Sequence, residues 1–315
     1  MFGLRGVQAF YGVLCRVAPA LAAYLAYGQL ATPARNAPRD WHLGLRRQAV
    51  ARRLPFGGGE LSVLEWGRGP TVLLVHGWAS HATHMGRMVG PLVGAGFRVV
   101  AFDAPAHGDS TGDATDMVQF ASAIAAVAAD VGPLHAVVGH SFGAAMALYA
   151  ARDWGVQPGR MVLFSSFDHC NWFIDAFGQH VGLTGDVLQR VRQRLVRLYG
   201  GRLDWSRMSV VDMARYFFIN AMTTISAVVF LYSPETKVAS IAILNLDEAG
   251  EMGAAAACAV LITAGPGVGK SRLRQELVAR VRAIFRNDPL ALRHELDLSD
   301  WKLDAQAVMA ALMHD

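Results

Sequence analysis

Four short apolar runs constrain this chain more than any other feature. Thr71–Val75, Phe97–Phe102, Leu134–Val138 and Met161–Ser165 are nearly continuous hydrophobic segments, not alternating ones. A strand that is apolar at almost every place must be covered on both faces. Helical patterns lie between them, at Phe120–Asp130 and Ala144–Arg152. Strands alternating with helices predict an α/β fold with a doubly wound, mainly parallel sheet. Leu61–Trp66 alternates and reads as a further strand. Residues 168–212 read as mainly helical, with Val187–Leu198 the strongest segment. The chain can supply the core such a sheet needs. It has 315 residues, 53% apolar and 17% charged, far from a disordered composition.

The turn after the third run carries chemistry. Gly139-His140-Ser141-Phe142-Gly143 joins an apolar strand to a helix. A serine on a sharp strand-to-helix turn has its hydroxyl exposed above the sheet. Flanking glycines permit the turn, because a side chain there would meet neighbouring backbone. The helix N-terminus favours negative charge near that serine. His76-Gly77-Trp78 follows the first run, and Phe102-Asp103-Ala104-Pro105-Ala106-His107-Gly108-Asp109-Ser110 follows the second.

Together, in this order and spacing, these segments resemble the α/β-hydrolase family over about residues 45–215. The resemblance implies a serine hydrolase with Ser141 as nucleophile. The backbone N–H groups of Trp78 and Phe142 would form the oxyanion hole. The substrate would be a small acyl compound, an ester, thioester or amide, and no cofactor or metal is expected. A serine at the elbow argues against a dehalogenase, which would use Asp there. Residues 168–212 would form a partial helical cap. The 102–110 loop has Ala106 where the family has glycine. Its expected role is structural, with His107 a satisfied loop histidine.

The family places its acid and histidine after Ser141, and neither pattern is visible in its usual form. Candidate acids are Asp168, after the fourth run, and Asp247 with its neighbour Glu248. Candidate bases are His169, in the presumed cap, and His294, in a charged segment. The expected sheet is therefore truncated or altered at its C-terminal strands, and activity would be impaired by an incomplete triad. The alternative is a non-catalytic or membrane-associated composite protein with a hydrolase-like body.

The character of the chain changes near residues 213–218. All three lysines, Lys237, Lys270 and Lys302, lie beyond it, and isoleucine becomes more frequent. The expected organisation is a helical leader over 1–44, the body over 45–215, and a mostly helical, atypical tail over 216–315. Within the tail, 216–262 resembles the membrane-spanning part of an iron-type transporter permease. Residues 264–271 resemble a P-loop, with Gly265, Gly269, Lys270 and Ser271 as phosphate-cradling positions. Only 44 residues follow Ser271, too few for the rest of an NTPase. Residues 301–314 resemble the opening of the HD domain of guanosine-tetraphosphate synthetase/hydrolases, with His314-Asp315 as its pair. Three partial resemblances in a hundred residues imply a rearranged or composite reading frame.

The remaining features exclude several classes. Net charge is +4, spread over arginines, and no nucleic-acid motif accompanies them, so no nucleic-acid partner is expected. The arginines at 190, 192, 194 and 197 wrap a helix and read as a solvated face. Cys15, Cys170 and Cys258 have no paired spacing, which fits a reducing, cytoplasmic setting. The apolar N-terminal stretch, interrupted by Arg16 and Pro19, reads as an amphipathic leader helix packed on the body. Membrane association through that helix or the uncharged run 216–232 is the competing expectation. Oligomeric state is not legible.

Overall fold

The computed structural model describes residues 3–224. Its centre is a six-stranded sheet of strands β1 (Val50–Phe56), β2 (Gly59–Trp66), β3 (Thr71–Val75), β4 (Arg98–Phe102), β5 (Leu134–His140) and β6 (Arg160–Phe164). The spatial order is β1-β2-β4-β3-β5-β6. β1 and β2 form an antiparallel hairpin, and β2 pairs antiparallel with β4. The β4-β3-β5-β6 part is parallel throughout.

The four apolar runs became the four parallel strands for the expected reason. Alternate residues of each strand enter different cores. Leu73, Val75, Val100, Phe102 and Val137 face one cluster, whereas Val72, Leu74, Val99, Ala101 and Val138 face the other. Helices α5 (Met117–Val131) and α6 (Phe142–Asp153) cover the first face. A 3-10 turn over Ala82–Met88 and helix α4 (Val89–Gly94) cover the second. Asp116 starts α5 by accepting the N–H groups of Val118 and Gln119.

β1 was not legible as a strand. Arg52, Arg53 and Pro55 dilute its pattern, and it is an edge strand, where such residues are tolerated. Arg52 bonds Glu65 across the hairpin and also pairs with Asp130.

The leader differs from one amphipathic helix. It is two helices, α1 (Leu4–Val17) and α2 (Pro19–Ala31), followed by α3 (Asp40–Arg47). Pro19 cannot continue α1, but it suits the first turn of α2. Tyr11, Cys15, Ala22, Ala26 and Leu30 enter the main core, so the leader does pack on the body.

The region expected to form a cap comprises α7 (Asn171–Val181), α8 (Gly185–Tyr199) and the start of α9 (Val210–Thr224), with two short 3-10 turns between α8 and α9. α9 runs through positions 213–218. The α8 arginines correct the solvated-face expectation. Arg192 bonds Asn171 and Asp175 of α7, and Arg194 lies 5.0 Å from the ring centroids of Tyr24 and Tyr27. Only Arg190 and Arg197 of that group are exposed. Arg192 thus ties α8 to α7, and Arg194 ties α8 to the leader helix α2, through packing that a one-dimensional charge pattern does not show. Cys15 and Cys170 are buried free thiols. Among the described residues, no helix is long and apolar enough to cross a membrane.

Candidate active site

Ser141 lies between β5 and α6 with φ +53° and ψ −122°, a conformation that L-residues rarely adopt. It is half-exposed, and it caps α6 without a side-chain hydrogen bond. Both flanking glycines are needed by close approach. A Cβ on Gly139 would stand 2.7 Å from Ala144 Cα, and one on Gly143 would stand 2.7 Å from the Val75 carbonyl oxygen. Those neighbours are backbone and cannot swing away. The turn is tied to β6 by the Ser141 N–H, which donates to the Phe164 carbonyl at 3.0 Å.

The His76-Gly77-Trp78 turn lies against the elbow. A Cβ on Gly77 would sit 3.3 Å from Ser141 Cβ. The Trp78 and Phe142 rings meet edge to face at 5.1 Å, and both meet Phe173 of α7. Phe142 is the first residue of α6, so its N–H has no partner within the helix. Trp78, Phe142 and Phe173, with Leu30 and Leu195, line an apolar cavity of about 10 Å³. That holds about one water molecule.

The 102–110 loop has the structural role expected of it. Asp103 is fully buried. Its carboxylate accepts the N–H groups of Ala82 at 2.7 Å and Asp109 at 2.9 Å, and it faces Arg46 at 3.4 Å. Ser110 donates from Oγ to the Asp103 carbonyl and accepts the Ser62 N–H. Gly108 is required because a Cβ would collide with the Asp103 carboxylate. Ala106, in the family's glycine place, takes φ +63°.

His107 is satisfied at both nitrogens. Nε2 accepts the Ala79 N–H, so Nδ1 carries the proton and donates to the Pro105 carbonyl. His76 is held similarly, accepting from Ala104 at Nε2 and donating from Nδ1 to the Gly77 carbonyl. Burial pushes both pKa values down to about 3. Neither ring is arranged as a base for Ser141.

Among the described residues, neither of the two described candidates for the rest of the triad is hydrogen-bonded to Ser141. Asp168 follows β6, as the sequence implied, but it is exposed, and its carbonyl accepts the Val210 N–H. His169 bridges to Ser209, and its Nδ1 accepts the Asn171 N–H at 3.0 Å. That leaves the proton on Nε2, a donor and not a base. Among the described residues, no hydrogen bond reaches the Ser141 hydroxyl. Asp247, Glu248 and His294 lie outside the described residues. So do the P-loop-like positions Gly265, Gly269, Lys270 and Ser271, nearly all of the permease-like segment, and His314-Asp315.

Sequence reasoning assigned no metal ligands, yet the fold gathers His42, His81 and His84 into one cluster. Only the His81-x-x-His84 spacing was readable beforehand.

Comparison with known proteins bears on the body. The α/β hydrolase family profile matches residues 72–243, more than half of the chain. This chain belongs to the α/β-hydrolase family. Over 113 residues it is 34% identical to a non-heme haloperoxidase of Rhodococcus erythropolis, covering 35% of this chain and 41% of that protein. Over 51 residues it is 47% identical to a putative ferric transport system permease-like protein of Escherichia coli, covering 16% of this chain and 42% of that one. The chain therefore spans about two-fifths of the length of each of these relatives. Among solved structures it is similar to a thioesterase domain from the curacin biosynthetic pathway, at 29% identity and TM-score 0.34. That likeness covers 38% of this chain and 44% of the domain. An epoxide hydrolase from Vigna radiata is 23% identical with TM-score 0.38, covering 43% of this chain and 45% of that one.

Proposed function

We propose that this member of the α/β-hydrolase family is a serine hydrolase that cleaves a small ester, thioester or amide, with Ser141 as nucleophile. The observation that carries the reading is the positive φ of Ser141, on a turn that only its two glycines permit. Ser141 Oγ attacks the acyl carbonyl carbon, and the leaving group departs with a proton. Water then hydrolyses the acyl-serine. The N–H groups of Trp78 and Phe142 hold the developing oxyanion.

The acid and histidine patterns usual after the elbow are not visible in the sequence, so on this reading the triad is incomplete and turnover is impaired. An oxyanion hole and binding alone still accelerate a reaction by about 10³–10⁴ over water, far below a complete triad. A fluorophosphonate probe tests the reading. Folded protein is expected to label slowly at Ser141, and Ser141→Ala is expected to abolish the labelling. Absence of label from Ser141 in the folded wild type would count against an activated serine.

The 51-residue permease likeness supports a second reading, of the whole chain: a hydrolase body joined to a tail of different descent. A continuous natural locus across the codons for 205–225 would contradict it.

A further inference from the structure

The strongest unassigned feature is the histidine cluster on the second face of the sheet. His81 immediately precedes the 3-10 turn after β3, and His84 lies within that turn. His42 comes from α3, about forty positions earlier in the chain. Gly86 allows them to meet, because a Cβ there would collide with Leu45 and stand 3.2 Å from the Trp41 ring, both on α3. One ligand nitrogen from each of His42, His81 and His84 lies within 4.8 Å of the other two. The ring centroids are 4.6 Å apart for His42 and His81, 6.4 Å for His42 and His84, and 6.0 Å for His81 and His84.

We propose that His42, His81 and His84 form a binding site for a borderline divalent metal ion, Zn²⁺ foremost, with water as the fourth ligand. Zinc–imidazole bonds of about 2.0–2.1 Å in a tetrahedron place ligand nitrogens about 3.3 Å apart, so the cluster needs to contract by no more than about 1.5 Å. The surroundings suit the task. The Ala82 N–H donates to Asp103, which fixes the backbone next to His81. His81 Nδ1 lies 3.0 Å from Thr83 Oγ1 and can donate to it, leaving Nε2 free for the ion. His42 and His81 are buried and His84 half-buried, so the cluster is open on one side.

The cost falls on His42. Its Nδ1 accepts the Arg39 N–H at 2.9 Å, at the start of α3. Ligation through Nε2 moves the ring proton to Nδ1 and releases that N–H to water. The centre lies beside the elbow, not in it: the His84 ring stacks at 6.2 Å on His140, the residue before Ser141. The proposal therefore does not rest on the serine hydrolase reading.

The test uses the untagged, full-length protein, stripped with chelator and titrated with Zn²⁺ in a calorimeter. Co²⁺ serves as the absorption probe. Wild type is expected to bind one more Zn²⁺ than His84→Ala, with micromolar or tighter affinity. The Co²⁺ form should show the intense visible bands of a four-coordinate centre. Loss of conserved outer contacts at metal sites costs about 10–100-fold in affinity, so loss of a ligand in His84→Ala or His81→Gln is expected to cost at least ~100-fold. His84 is half-buried, so its alanine variant should keep the wild-type circular dichroism. His180→Ala, a change at an exposed ring elsewhere, is expected to bind as wild type does. Equal stoichiometry and affinity in wild type, His84→Ala and His81→Gln would overturn the proposal. So would a wild type that takes up no zinc at millimolar metal.

Discussion

Ser141 is strained, and the strain is measurable separately from its chemistry. Its φ of +53° with ψ −122° lies where a Cβ meets its own backbone, and where glycine is at ease. Holding an L-residue in a sparsely populated region costs about 1–3 kcal/mol. Replacing Ser141 by Gly removes that cost but adds unfolded-state entropy worth about 0.5–1 kcal/mol. The serine side chain makes no capping bond, so little is lost with it. Taken at about 2 kcal/mol for the strain and about 0.75 kcal/mol for the entropy, the net expectation is a gain of about 1 kcal/mol. For a body of about 200 residues, each kcal/mol shifts Tm by about 2–4 °C, so Ser141→Gly should melt about 2–4 °C above its reference. The proper reference is Ser141→Ala, which also lacks the hydroxyl but keeps the Cβ and the strain. Scanning calorimetry of the two variants at one pH and scan rate makes the comparison. A Ser141→Gly variant that melts at or below Ser141→Ala would refute the strained elbow.

Two further outcomes follow from the same region. Gly143→Ala should be destabilised by more than about 3 kcal/mol and should lose any fluorophosphonate labelling, because its Cβ meets the backbone of Val75 and His76. A wild-type urea midpoint in that variant would contradict the packing. Stability should also depend on pH through His76 and His107. Their folded pKa values of about 3 lie below the unfolded value of 6.5, so the unfolded chain binds more protons between those limits. Their stabilisation is complete above pH 6.5 and is lost as pH falls toward 3, at up to about 1.4 kcal/mol per pH unit for each ring. Urea titrations at neutral pH and between pH 6 and 4 would show it. A flat profile over that interval would mean that the rings are not held neutral.

Where sequence and structure agree, the cause is local. The elbow is defined by five consecutive residues, so its glycines and its serine could be read directly. The parallel strands are short and apolar throughout, and burial on both faces leaves that signature wherever the chain runs. The role of Asp103, Gly108 and Ser110 was legible for the same reason, since they satisfy each other within one loop. The edge strand β1 was not legible, because an edge needs no such signature. Its pairing with β2 is what makes it a strand.

The sequence alone determined the α/β sheet and the position of Ser141 on the turn after β5, because backbone sterics act between near neighbours. The tertiary structure alone decided that Arg192 and Arg194 serve the cap instead of the solvent, and that His169 spends its acceptor nitrogen on Asn171. It also decided that α3 brings His42 to His81 and His84. Each of these depends on distances between elements far apart in the chain, which core packing sets and no run of residues encodes.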